Sequence, residues 1–349
     1  MTATQATPGT AAEAHAVPPA EQMVQLLAGF QLSQALYAAA ALGIADMLRA
    51  GPRDAAVLAG QAGADATSLR RVLRALASAG VFTETADGRF GLAPLGETLT
   101  SDSPASMRDL AIMWMETHYA PFAELIQTIR TGRPAAEHLY GEPFFAWLSH
   151  HPEQTSRFTG AMANLTSGGF KSAAIASLPL DGTRTIVDIG GADGTVLATI
   201  LAGHPHMRGV LFDLPHVITN APRTLASHGV EDRAEYMAGD FFESVPAGGD
   251  AYLASLVLHD WPDQQAERIL ASIAAAGGSG SRLLVLDFVV PPGDTPHLSK
   301  MSDLNMLAMM GGKERTETEW RELLSAAGFT GIEVRQTGTP FSVIQATVQ

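Results

Sequence analysis

Thr185-Ile-Val-Asp-Ile-Gly-Gly-Ala-Asp-Gly-Thr195 decides how this chain folds. A short apolar strand runs into a glycine turn and then into a helix expected over Thr195–His204. Glycine at 190, 191 and 194 lets the backbone approach a ligand where a Cβ would collide. The first helix turn points free N–H groups at that ligand. About twenty residues on, a second strand, Arg208–Phe212, ends in Asp213, a carboxylate able to take both hydroxyls of a ribose. The stretch reads as a nucleoside-cofactor site.

The dinucleotide fingerprint G-x-G-x-x-G would need glycine at 189, where this chain has isoleucine. The run has instead the form D-x-G-G-x-x-G, with Asp188 closing the strand. That form suits S-adenosylmethionine, which has no pyrophosphate to cradle. A glycine turn alone also fits an ordinary strand–turn–helix connection. Asp213 and the Gly239-Asp240-Phe241-Phe242 turn after the third strand favour the cofactor.

The 349 residues allow a large core and more than one domain. Hydrophobic content of 46% and charged content of 17% are those of a globular chain. A net charge of −14 argues against nucleic-acid or anionic-membrane partners. With no cysteine, disulfides, thiol nucleophiles and thiolate metal sites are excluded. No apolar run reaches membrane-spanning length. Residues 1–19 are Ala/Thr/Pro-rich without a basic leader, so a loose tail and a cytoplasmic protein are expected.

Helical periodicity dominates residues 20 to 180. Ala20–Phe30, Leu32–Ala41 and Ile44–Arg49 are more apolar than exposed surface helices. Arg53–Gly63, Asp65–Gly80 and Val81–Leu95 read as helix, helix and β-ribbon, with Asp65 as N-cap and Ala86-Asp87-Gly88 as hairpin turn. This winged-helix pattern carries Arg70, Arg71 and Arg74 on one helix, but within an acidic chain a solvated or dimer-contacting face outweighs DNA binding. From 105 to 180 the helices interleave Met113, Trp114, His118, Phe158 and Met162. They suit helix core or the wall of a pocket for a flat apolar ligand.

From 184 strands alternate with helices, as in βαβ units with a parallel sheet. Expected strands are Arg184–Ile189, Gly209–Phe212, Ala234–Met237, Asp250–Leu258 and Arg282–Val289. Ile332–Gln336 and Phe341–Val348 are joined by only Thr337-Gly338-Thr339-Pro340, too short for a parallel crossover, so the sheet ends in an antiparallel hairpin.

Leu256-Val-Leu-His259-Asp260-Trp261-Pro262 is the second informative stretch. A strand is expected to end at His259, with Pro262 opening the next helix. Ligands of doubly wound sheets sit at the carboxyl ends of strands, and histidine is the usual general base near neutral pH. Asp287 ends the next strand, Asp303 lies in a Met-rich helix with Asn305 and Met306, and Glu314 falls within Gly311-Gly312-Lys313-Glu314-Arg315-Thr316. A carboxylate receiving the other imidazole N–H would fix the tautomer of His259. The sequence leaves open which acid does so. Its acids do not cluster as a Mg²⁺ site requires, so no metal is expected.

Val187-Asp-Ile-Gly-Gly-Ala-Asp-Gly194, Phe212-Asp-Leu-Pro-His-Val217, Gly239-Asp-Phe-Phe242, Leu258-His-Asp-Trp261 and Gly311-Gly-Lys-Glu-Arg-Thr316 follow in order. The chain thus resembles, over roughly 20–349, the S-adenosylmethionine-dependent O-methyltransferases of the plant caffeate and actinobacterial polyketide-tailoring type. The resemblance implies an α/β protein: a doubly wound methyltransferase sheet with an antiparallel terminal hairpin (181–349), behind a winged-helix dimerisation domain (20–104) and a helical pocket region (105–180). It implies cofactor contacts at Gly190, Asp213, Asp240 and Phe241, and His259 as base flanked by Asp287 and Glu314. Many members carry lysine where this chain has Ser255, which is assigned to the cofactor site with its role open. Helices 105–170 and 299–310 are expected to supply the acceptor pocket, with Met113, Trp114, His118, Phe158, Met162, Asp260, Asp303, Asn305 and Met306 as its contacts. The expected protein is a homodimeric O-methyltransferase for an aromatic small molecule. The alternatives are a relative that has drifted to C- or N-methylation or non-methyl chemistry, and a cofactor-responsive winged-helix regulator.

Overall fold

A computed structural model describes residues 17–167, 169 and 171–349. The tail expected over 1–19 lies mostly outside the described residues, and a helix already begins at Pro19. The helices Pro19–Leu27, Gly29–Ala41 and Ile44–Met47 fall where the apolar periodicity places them. Ala55–Ala62 and Ala66–Ser78 follow, capped by Asp54 and Asp65, whose carboxylates accept from Ala56 N and Ser68 N. Leu69, Leu73 and Leu76 are spaced to fall on one helix face, and all three are buried. Against them packs an antiparallel ribbon, β1 (Phe82–Glu84) with β2 (Phe90–Leu92). Arg70 and Arg74 both reach Glu84 within this unit, at 3.3 and 3.4 Å. The first helix buries nothing: Leu26 is 75% and Leu27 68% exposed.

The large sheet holds β3 (Thr185–Ile189), β4 (Arg208–Asp213), β5 (Ala234–Ala238), β6 (Ala251–Ser255), β7 (Arg282–Val290), β8 (Arg315–Thr316), β9 (Phe329–Gln336) and β10 (Phe341–Val348). Its order is β5-β4-β3-β6-β7-β10-β9, with β8 pairing β7 in parallel outside that path. β5 to β7 are parallel, and β10 runs antiparallel to both β7 and β9, the expected terminal hairpin. Alternation divides the strand residues between two cores. Ile186, Leu253, Leu284 and Leu286 face one layer of helices; Val187, Tyr252, Leu283 and Val285 face the other.

One strand is shorter than expected. β6 stops at Ser255 rather than Leu258, because Leu256 adopts the left-handed region (φ 54°) and turns the chain out of the sheet. His259 therefore sits on a 3₁₀ turn, Leu258–Asp260, and Pro262 is the N-cap of helix Asp263–Gly277 rather than its first residue. Among the described residues no helix is long and apolar enough to cross a membrane.

Candidate active site

The parallel register brings Asp188, Asp213, Ser255 and Asp287 to the carboxyl edge of one sheet. Behind β3 the turn climbs through Gly190 (φ 67°), Ala192 (φ 52°) and Gly194 (φ 82°). The left-handed Ala192 aims its N–H at Asp213 Oδ2 (2.9 Å), while Leu214 N–H donates to Oδ1 (2.7 Å). Each oxygen keeps a lone pair for a diol. Burial is the first influence on the Asp213 carboxyl and leaves its pKa raised, although these two N–H bonds pull it down. Asp240 Oδ1 accepts from Phe242 N (2.8 Å) and sets the turn that presents Phe241 beside Gly190. Both oxygens of Asp188 and the Ser255 hydroxyl are buried without a hydrogen-bond partner. These orphaned groups beside a glycine turn and a ribose-ready carboxylate fit the polar ends of S-adenosylmethionine.

His259 lies in a nest of acids. Its Nδ1 is 2.9 Å from Glu314 Oε1 and 3.5 Å from Asp287 Oδ1, while Nε2 is 3.4 Å from Asp260 Oδ1. Glu314 is thus the hydrogen-bond partner, and Asp287 flanks it. Ser302 donates to the same Glu314 oxygen at 2.7 Å. Asp303 also has a role within the nest. Its Oδ1 accepts from Glu314 N (2.8 Å) and so holds the backbone of that acid. Burial works against a charged imidazole, but Asp287, Asp260 and Glu314 outweigh it and raise His259 to about 10. Burial pushes Asp287 up to about 7 and Asp260 up to about 6.

The acids do cluster, contrary to the sequence expectation. His259, Asp287 and Glu314 offer ligand atoms within 4.8 Å of one another. The Nδ1–Oε1 distance is that of a hydrogen bond, and Glu314 Oε1 is already shared with Ser302. The nest therefore reads as an imidazole oriented by carboxylates.

A line of rings leads from the cofactor edge into the helical region. Phe241 and Phe145 each lie 6.0 Å from Trp261, and Phe144 is 6.1 Å from Phe145 and 5.6 Å from His118. Phe158 stands edge-on to both Phe144 and Phe145. Phe144, Ala308 and Met309 anchor this apolar cluster, bounded by two π turns, Trp114–His118 and Met306–Met310. Met162 and Asn305 are half-buried, Met306 is buried, and Trp114 is 40% exposed. Met113 is only 1% exposed, packed within its helix layer.

The tautomer of His118 follows from its neighbour. Thr117 gives its one hydroxyl proton to Met113 O (2.6 Å), so in the 2.8 Å Thr117–His118 contact Nδ1–H is the donor. Burial holds His118 down at about 3, hence neutral, and its Nε2 is left a pure acceptor.

Residues 122–330 match the O-methyltransferase domain, and residues 24–102 match the O-methyltransferase dimerisation domain. The chain belongs to the O-methyltransferase family. It is 41% identical over 333 residues to a phenazine O-methyltransferase of Lysobacter antibioticus, covering 95% of this chain and 97% of that one. It also resembles, at TM-score 0.77 and 34% identity, an O-methyltransferase from neocarzinostatin biosynthesis solved with S-adenosylmethionine and 2-hydroxy-5-methyl naphthoic acid; the match covers 91% of this chain and 96% of that one. A further relative at 34% identity over 90% of this chain and 86% of its own is an aclacinomycin 10-hydroxylase of Streptomyces purpurascens.

Several residues of the site carry no local sequence signal. Arg315 is fully buried and donates to Leu258 O (2.9 Å), Trp261 O (3.0 Å) and Asp263 Oδ1 (2.8 Å), which pins the His259 turn. Gly312 packs on that turn so closely that a Cβ would collide with the His259 carbonyl and lie 2.6 Å from Trp261 N. Gly312→Ala should cost about 1–3 kcal/mol of stability and displace His259, read as a lower melting temperature together with a reduced turnover.

Asp188 makes a separate prediction. Burial lifts its carboxyl from 3.8 to about 7, with the Asp213 charge adding to the rise. The folded state then keeps a proton that the unfolded state releases, so Asp188 subtracts stability as pH climbs through that window. Asp188→Asn should raise the melting temperature of the ligand-free protein at pH 8 more than at pH 5. An equal change at both pH values would show that the carboxyl does not titrate there.

Proposed function

We propose that this protein transfers the methyl group of S-adenosylmethionine to a hydroxyl of an aromatic small molecule, with His259 as general base. The observation that carries the proposal is the Glu314–His259 pair, set between the glycine turn and the ring-lined cluster. The cofactor supplies a sulfonium-activated methyl group and brings a positive charge to the acid-rich edge. Asp213 takes the ribose hydroxyls, with Asp240 and Phe241 at the adenine end and Gly190 and Ser255 along the amino-acid end. Glu314 holds Nδ1–H, so Nε2 is the atom that receives the hydroxyl proton, and the three carboxylates stabilise the resulting cation.

The ring line and the two π turns supply the acceptor pocket, through Trp114, Phe158, Met162, Asn305 and Met306. His118 Nε2, an acceptor only, favours a ring that bears a second hydrogen-bond donor. The exposed apolar helix Pro19–Leu27 fits a homodimer in which it meets a second copy. The hydroxylase relative supports a second class of chemistry on the same frame. Incubation with labelled cofactor and hydroxylated phenazines and naphthoates, followed by product mass, separates the two: methylation adds one methyl, and its absence across the panel favours the second class.

His259→Ala should bind S-adenosylmethionine as wild type does but transfer methyl roughly 10²–10⁴-fold more slowly. Wild-type transfer by the alanine variant, with chemistry rate-limiting, would leave His259 a structural role only.

The pH profile is a further check. Only neutral imidazole is a base, and the carboxylates hold His259 above its usual value. Single-turnover rates should therefore rise with pH through an apparent pKa above 6.5. Glu314→Gln should move that pKa downward while slowing transfer, and an unmoved pKa would detach Glu314 from the base.

A further inference from the structure

Among the described residues the buried lysine and arginine side chains are Arg315 and Lys171. Arg315 is committed to two carbonyls and Asp263. Lys171, 5% exposed, precedes the helix Ser172–Ala176, and its charged neighbours are Asp188, Asp287 and Asp193, at the carboxyl edge of the sheet and in the turn behind β3. Asp188 lies on β3 and Asp287 on β7, and β6 runs between those strands. The strand between them ends at Ser255, so a cation influenced by both acids lies near that end of the sheet. The Ser255 hydroxyl and both Asp188 oxygens are buried there without partners.

One ammonium beside a buried carboxylate that has no hydrogen-bond partner, Asp188, is an incomplete arrangement. A zwitterion would complete it: an α-ammonium brings donors to Asp188, and an α-carboxylate accepts from the Lys171 ammonium, for which no hydrogen-bond acceptor is seen among the described residues. Burial lowers Lys171 to about 8 while the acids hold it up, so it stays largely charged at neutral pH. Granted the S-adenosylmethionine site proposed above, we propose that Lys171 binds the carboxylate of the cofactor's amino-acid end, above Ser255.

The test compares two ligands by calorimetric titration: S-adenosylhomocysteine, and 5′-deoxy-5′-methylthioadenosine, which keeps the nucleoside thioether but lacks the amino-acid end. Lys171→Met should weaken S-adenosylhomocysteine at least tenfold and leave methylthioadenosine within about twofold, while Lys171→Arg should recover part of the loss. Equal weakening of both ligands, or no change in either, overturns the proposal. Should Lys171→Met fail to fold, wild-type protein decides with the methyl ester of S-adenosylhomocysteine. The ester should bind at least tenfold more weakly, and equal binding overturns the proposal. A wild-type protein that binds neither thioether overturns the cofactor site itself, which is a separate outcome.

Discussion

Arg315 holds the structure's working parts in one frame. Its guanidinium takes the carbonyls on either side of the His259 turn and the carboxylate that opens the next helix, with its charge 5.2 Å over the Trp320 ring. Its backbone meanwhile pairs with β7 as β8, two residues beyond Asp287, and Glu314 immediately precedes it. His259, its hydrogen-bond partner and the flanking acid are therefore referenced to a single buried side chain. Charge-assisted bonds of this kind are worth about 1.5–3 kcal/mol each. Their loss would also leave buried carbonyls without donors, so the turn has no low-energy alternative position.

The arrangement is costly in other terms. Three carboxylates surround one imidazole, and a fourth, Asp188, is buried without a hydrogen-bond partner. Burial raises the pKa of Asp188, Asp260 and Asp287 alike. Such a site works against the stability of the empty protein and favours ligands that arrive with positive charge. The strain at Ala192 and Leu256 has the same location: both left-handed residues lie at strand ends that form this edge.

Features set by neighbouring residues were legible in the sequence. The glycine turn, Asp213 at the end of its strand and the terminal hairpin each depend on a few consecutive residues. The departures came from long range. Nothing local marks Leu256 as left-handed, so His259 was expected on a strand. Asp287 and Glu314 stand 28 and 55 positions from His259, and only the β7–β8 pairing brings them together, which is why the acids looked dispersed. The bond from Glu314 N to Asp303 likewise joins residues eleven positions apart and has no local signal. Lys171 is one unremarkable lysine in a helical stretch until the sheet places acids around it.

The ring-lined apolar cluster is bounded by two π turns, at Trp114–His118 and Met306–Met310. The first lies between Arg108–Met113 and Tyr119–Ala123 and amounts to one residue inserted into a helix, while the second ends its helix at left-handed Gly311. Downstream of such an insertion every side chain is rotated by about 100°, the angle per residue of a helix with 3.6 residues per turn. Gaining or losing the π turn at Trp114–His118 would therefore exchange the inward-facing set of Tyr119–Ala123 while leaving the His259 turn untouched. Acceptor preference in this architecture can diverge by register as well as by substitution, and comparing aligned residues one by one would not reveal it.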